Sequence, residues 1–122
     1  PSGRQFEFPN TKRLPSGKIT NFTMVKNYPV QSSATDIVQT TLLLLERNMR
    51  LKNLKSLLVN SVHDSAVIDV CPDEEGIVVK TVEETIAQLP HEMFSRFNMK
   101  LDVPLELEPK VGKNWMEMQD MT

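Results

Sequence analysis

The run Ser56-Leu57-Leu58-Val59-Asn60-Ser61-Val62 and the run Ala66-Val67-Ile68-Asp69-Val70-Cys71 flank the polar tripeptide His63-Asp64-Ser65. Two β-rich stretches with so short a polar break between them fit a hairpin with His63-Asp64 at its turn. Pro72 ends the second stretch, since proline offers no backbone donor. A hairpin implies antiparallel pairing, and the flanking segments read as its covering layer.

Upstream, Asn27-Tyr28-Pro29-Val30-Gln31 is expected to be a connector, because Tyr28 precedes a proline and is steered away from helix. A helix is then expected to start near Ser33, where Ser33 and Asp36 have the spacing of a capping box, and to run to about Leu51. Ala34, Val38, Leu42, Leu45 and Met49 recur at helical intervals as its buried stripe. Leu43 and Leu44 widen the apolar surface, so this helix packs on more than one side or covers a partner. Downstream, Asp73 is a candidate N-cap for a second helix whose core face is Val78, Val82, Ile86 and Leu89. Pro90 is expected to interrupt it, followed by a short turn carrying Met93, Phe94 and Phe97. Val103 to Leu107 reads as a last strand. At the start, Arg4, Phe6 and Phe8 alternate with polar residues as a strand does. A second extended stretch, about Ile19 to Val25, could pair with it, with Lys12, Arg13 and Lys18 near the tip. The expected order is β-β-α-β-β-α-β. That is an α+β fold, a small antiparallel sheet of hairpins packed by two main helices.

Size and composition narrow the classes. At 122 residues, 39% hydrophobic and 25% charged, the chain fits one globular domain spanning residues 1–122. Its longest apolar run, Leu42 to Leu45, is far short of the roughly 20 residues a membrane helix needs. Cys71 is alone, so no internal disulfide can form, which suits a reducing compartment. The first residue is not Met, which fits a fragment or a processed product. Residues 1–62 hold nine Lys/Arg against three Asp/Glu, a balance of +6, and residues 63–122 hold five against thirteen, a balance of −8. Such asymmetry hints at nucleic acid, unless folding mixes the two halves over one surface.

His63-Asp64-Ser65 has the residue types of a hydrolase triad, but adjacent residues cannot make that relay, and no G-x-S-x-G elbow is present. One cysteine and two histidines lack paired zinc-ligand spacing. There is no phosphate-binding P-loop. An aspartate at a tight β-turn projects a hard oxygen ligand suited to Mg²⁺, though such an aspartate often only bonds its own turn backbone. The residues alone leave both readings open.

The segment Asn27-Tyr28-Pro29-Val30-Gln31-Ser32-Ser33-Ala34-Thr35-Asp36 resembles the N-x-P-x-Q-x-x-A-x-D stretch of family A DNA polymerases. About thirty residues later, Leu58 to Ser65 stands where that family has motif C, a V-H-D-E hairpin turn. Pro72, Glu74, Glu75, Pro104, Leu105, Gly112 and Trp115 follow in the family's order, and Gly3-Arg4 with Pro9 resembles its preceding hairpin. The resemblance implies that Asp64 binds the catalytic Mg²⁺ ions, in a two-metal site completed by residues outside this chain. It implies that His63 supports the primer terminus, and that Asn27 and Gln31 meet the primer-template minor groove, whose acceptors are common to all base pairs. Ser65 departs from the usual Glu, Thr23 from a DNA-touching Arg, and Ser32 from a frequent Gly, which fits a divergent, phage-like member.

Motif A, D-Y-S-x-I-E, and the fingers helix, R-x-x-x-K-x-x-x-x-Y-G, do not occur in these residues. The chain therefore resembles the C-terminal part of a polymerase palm, with fingers and thumb absent and no activity expected alone. Its implied partners are a DNA primer-template, a dNTP in the complete enzyme, and the remainder of the polymerase in cis or as a separate subunit. No membrane is implied; the expected location is the cytoplasm of a bacterial or phage-infected cell. Self-association through the apolar helix face is a further expectation. The alternative is a diverged remnant serving as a non-catalytic DNA-binding or interaction module.

Overall fold

Two long helices form where apolar and threonine residues recur every three or four positions. A computed structural model describes residues 2–121, and in it α1 spans Phe22–Leu51 and α2 spans Glu75–Phe97. Between them lies a hairpin of β1, Leu57–Val62, and β2, Ser65–Asp69, followed by a 3-10 turn at Pro72–Glu74. A minimal ladder of β3, Lys110–Val111, and β4, Gln119–Asp120, closes the tail. The fold is a small α+β domain with two helices and two small antiparallel sheets.

The core is the seam between the helices. Leu44 of α1 meets Leu89 and Met93 of α2, with Met99 closing the end, and Ile37, Ile86, Phe97 and Leu101 packing around them. On α2 the buried face is Val78, Thr81, Thr85, Leu89 and Met93, and on α1 it is Asp36, Thr40, Leu44, Leu45 and Met49. Leu45, Met49, Val78 and Leu89 are buried as expected, but the rest of each face is shifted. Val82 and Ile86 are only half-buried, as are Val38 and Leu42, while Ala34 is exposed. Threonine makes the difference. The hydroxyls of Thr40, Thr81 and Thr85 donate to the carbonyls of Asp36, Ile77 and Thr81, each four residues back. A threonine whose hydroxyl is satisfied by its own helix can be buried with little penalty, and hydrophobic periodicity does not register it. Above the core, Asn48 donates to Thr85 and Gln88, and Lys52 donates to Thr81 and Glu84, so the seam has a polar edge.

Pro29, expected in a connector before the first helix, and Pro90, expected to interrupt the second, both lie inside helices. α1 runs through Pro29 and α2 through Pro90. A helical proline costs about 3 kcal/mol. Leu89 and Met93 flank Pro90 and are fully buried, and each such side chain contributes roughly 1.5–3 kcal/mol. Their burial offsets the proline. Around Pro29, Phe6 and Phe8 pack against Tyr28 with ring centroids 6.2 and 5.4 Å away. Arg4 forms an ion pair with Asp36 two turns further on. Asp36 is therefore not half of a capping box, and the Ser33 hydroxyl donates to the Pro29 carbonyl mid-helix. Helix α2 likewise starts at Glu75 rather than being capped by Asp73, which lies in the 3-10 turn.

Three expected strands are not formed. Residues 4–8 lie along α1 as an irregular arm, because their aromatics are drawn to Tyr28, and residues 22–25 belong to α1 itself. The one strand-like contact there is a bridge between Arg13 and Ile19. Residues 103–107 have no strand partner, and Pro104 and Pro109 remove donors beside them. Both main helices end on asparagines in the left-handed conformation, Asn53 at φ 52° and Asn98 at φ 51°, which asparagine tolerates better than most residues.

Considerable apolar surface stays outside the seam. On α1, Val30, Leu43 and Leu51 are more than 60% exposed. Among the described residues no helix is long and apolar enough to cross a membrane. Two substitutions check this description. Leu89→Ala should lower unfolding stability by about 3 kcal/mol, read as a fall in urea midpoint at unchanged slope. Gly112→Ala should unpair β3 and β4, because a Cβ there would sit 2.6 Å from the Glu117 carbonyl oxygen. Amide exchange at Val111 should rise while that of α2 stays unchanged.

Candidate functional site

The hairpin places His63 and Asp64 at an exposed tip. Val62 pairs with Ser65, so His63 and Asp64 alone make the connection. His63 takes φ 56°, the positive value that a tight two-residue hairpin turn demands. The turn is closed by Ser65, whose hydroxyl donates to the Val62 carbonyl at 2.8 Å. The Asp64 carboxylate makes no hydrogen bond or ion pair among the described residues, and so is not consumed by its own turn. Ser65 thus has a structural task of its own. Lower down, Val59 and Asn60 lie opposite Val67, a bulge in β1. Bulges bend and twist a strand and re-aim what lies beyond them.

The base of the hairpin is tied to the 3-10 turn that leads into α2 by one carboxylate. Glu74 accepts hydrogen bonds from the Lys55 amide at 2.9 and 3.0 Å, from the Ser56 amide at 2.8 Å and from the Ser56 hydroxyl at 2.6 Å. The Ser56 hydroxyl in turn accepts from the Cys71 amide at 3.0 Å. One glutamate therefore gathers the residues just before β1 and, through Ser56, the residue just after β2. Hydrogen bonds from the Lys55 backbone first, then from the Ser56 side chain and backbone, hold the Glu74 carboxyl below its ordinary value. Glu84 is held low by the Lys52 ammonium in the same way. Ser56 and Glu74 were not singled out for a site role from sequence. Their one local signal is a polar serine, Ser56, opening an apolar run.

Asn27 and Gln31 stand four residues apart on α1, hence on one face, and both are exposed. Neither side chain makes a hydrogen bond among the described residues, and none joins them to His63 or Asp64. The chain brings Asn27 and Gln31 together on the helix and His63 and Asp64 together on the turn, without bonding one pair to the other. His91 is exposed on α2 and Cys71 is a half-buried free thiol. Among the described residues no group of three or more His, Cys, Asp or Glu side chains gathers to hold a metal. Asp64 can thus offer one cation ligand, not a whole site. That still fits Mg²⁺, which is often held by one or two carboxylates with water and substrate phosphates completing its shell.

The family model described as DNA polymerase family A matches residues 2–117. The chain is 29% identical to DNA polymerase I of Aquifex aeolicus over 89 residues, covering 73% of this chain and 14% of that protein. It is 32% identical to DNA polymerase I of Caldicellulosiruptor bescii over 91 residues, 75% of this chain and 10% of that one. Against DNA polymerase I A, chloroplastic, of Oryza sativa subsp. japonica, it is 32% identical over 114 residues, 93% of this chain and 11% of the relative. The matched region thus spans only about a tenth of the length of these relatives. No solved structure matches.

The Glu74 bonds carry a pH signature. A carboxyl held low in the folded state stabilises it above the unfolded value, ordinarily 4.5, and that contribution fades as pH falls through the lower folded value. Glu74→Gln should lower the urea midpoint at pH 7. The gap to the parent should close as pH drops below about 4.5, whereas a gap independent of pH would mean that the bonds do not need the charge.

Proposed function

Since this chain belongs to the family A DNA polymerases, we propose that it supplies the C-terminal part of a polymerase palm, with Asp64 as the motif C aspartate of template-directed nucleotidyl transfer. The observation that carries the reading is the tip of the hairpin. Asp64 is exposed on a two-residue turn whose own hydrogen bond is made by Ser65, so its oxygens are free for a ligand. A bound Mg²⁺ there would neutralise charge on the phosphates and on the attacking primer oxygen. His63, adjacent on the turn, would contact the primer terminus. Asn27 and Gln31, on one exposed face of α1, would donate their amides to minor-groove acceptors that every base pair presents. Glu74 acts further back, by fixing the hairpin's base against the 3-10 turn that leads into α2.

The remaining parts come from elsewhere in the enzyme. One carboxylate does not make a two-metal site, so a second aspartate and the triphosphate-binding helix are supplied by the remainder of the polymerase, in cis or as a separate subunit. That remainder would also cover exposed apolar positions such as Val30, Leu43 and Leu51. The 122-residue chain by itself should therefore show no primer extension, and at high concentration it should self-associate in sedimentation. The decisive comparison is made in the polymerase that contains these residues. Asp64→Asn, which preserves shape and removes the charge, should lower kcat by about 10³-fold, equivalent to roughly 4 kcal/mol of transition-state stabilisation. Primer extension within a few-fold of the parent would remove Asp64 from the metal site.

A further inference from the structure

The cations of this chain divide by position. Its ion pairs use Arg4, Arg50, Lys52, Arg96, Lys100 and Lys110. Among the described residues none involves Lys12, Arg13, Lys18 or Lys26, nor Arg47, Lys55, Lys80 or Lys113, but only the first four fall together in one stretch. The sequence around those four explains why. Residues 8–35 contain four Lys/Arg and not one Asp or Glu. That stretch holds no acid to neutralise them, and among the described residues none forms an ion pair with them from elsewhere.

Folding draws these charges together. The Leu14 amide donates to the Lys18 carbonyl at 2.7 Å, the Gly17 amide to Leu14 at 2.9 Å, and the Thr20 amide to Lys12 at 2.9 Å. The Lys12 amide is also held by the Thr20 hydroxyl at 2.8 Å. Arg13 bridges Ile19 within this reversal, and Gly17 takes φ 80° to complete it. Lys12, Arg13 and Lys18 are all exposed. Their backbones lie within about 10 Å of one another by the spacing of paired strands, which is about one Debye length at 0.1 M salt, so their fields add. The turn leads directly into α1, where Lys26 sits 4.8 Å over the Phe22 ring. Asn27 is the next residue and Gln31 lies one turn on.

We propose that the Lys12–Lys18 turn, with Lys26, is a phosphate-contacting surface that grips the backbone of duplex DNA independently of its sequence. It rests on the reading above that Asn27 and Gln31 meet a primer-template. It adds the element that holds the duplex while those amides contact the groove, since phosphate contacts fix register and orientation rather than sequence.

Counterion release makes the test quantitative. Each phosphate neutralised adds about 0.9 to the slope of log affinity against log salt. The 122-residue chain is titrated with a fluorescent blunt duplex by anisotropy across a NaCl series. Circular dichroism checks that each variant is folded. Lys12→Gln/Arg13→Gln/Lys18→Gln should reduce the slope by about 2.7 and weaken binding equally for unrelated duplex sequences. Lys80→Gln/Lys113→Gln, which removes two exposed cations outside the surface, should leave the slope unchanged. No binding by the parent chain, an unchanged slope in the triple variant, or an equal loss in the Lys80/Lys113 variant would overturn the proposal. Tighter binding of the parent to phosphatidylserine vesicles than to duplex would overturn it too, assigning the surface to a membrane. Asp64→Asn should not reduce the slope, so the catalytic reading and this one can fail separately.

Discussion

Everything in this chain hangs on the seam between α1 and α2. Leu44, Leu89, Met93 and Met99 are its apolar floor, and Asn48, Lys52, Thr81 and Thr85 its polar edge. The seam is what keeps α2 helical across Pro90, because Leu89 and Met93 lose water together only if the helix is continuous there. It also sets the distance between the end of α1 and the start of α2. The hairpin grows from that gap and touches the rest of the domain chiefly through its base.

The consequence for chemistry is a division of labour along the hairpin. At the base, the Glu74 carboxylate is saturated with donors and holds Lys55, Ser56 and Cys71 in place. At the tip, the Asp64 carboxylate has none. A carboxylate with every lone pair engaged is a structural element; one with all of them free on a rigid support is a ligand in waiting. Chain geometry separates the two roles although both residues are plain acids.

The N-terminal arm is organised by the same logic of satisfied and unsatisfied charge. Arg4 is spent on the buried Asp36, and Phe6 and Phe8 are spent on Tyr28. These contacts pin the arm to the first half of α1, where Pro29 leaves the helix weakest. Among the described residues the basic turn that follows has no such ion-pair partner, and its cations are exposed.

The hairpin, its two-residue turn and the α+β class were legible in the sequence, because β-rich runs around a short polar break and helical periodicity are local signals. So was the family, because its motifs are linear. The course of both helices through proline was not, since local preference at Tyr28-Pro29 and Pro90 points the other way and is overridden by packing from residues far along the chain. The buried faces were legible only in part, at Leu45, Met49, Val78 and Leu89, for a related reason: Thr40, Thr81 and Thr85 are buried by hydroxyl bonds to their own helix, and Asp36 by an arginine 32 residues away. Glu74 became visible only when folding brought it to Ser56. Local order along the chain settles which residues carry charge, which are apolar, and that His63-Asp64 must turn. Tertiary structure alone decided which acids are consumed and which stay free, because that depends on donors supplied from distant parts of the chain.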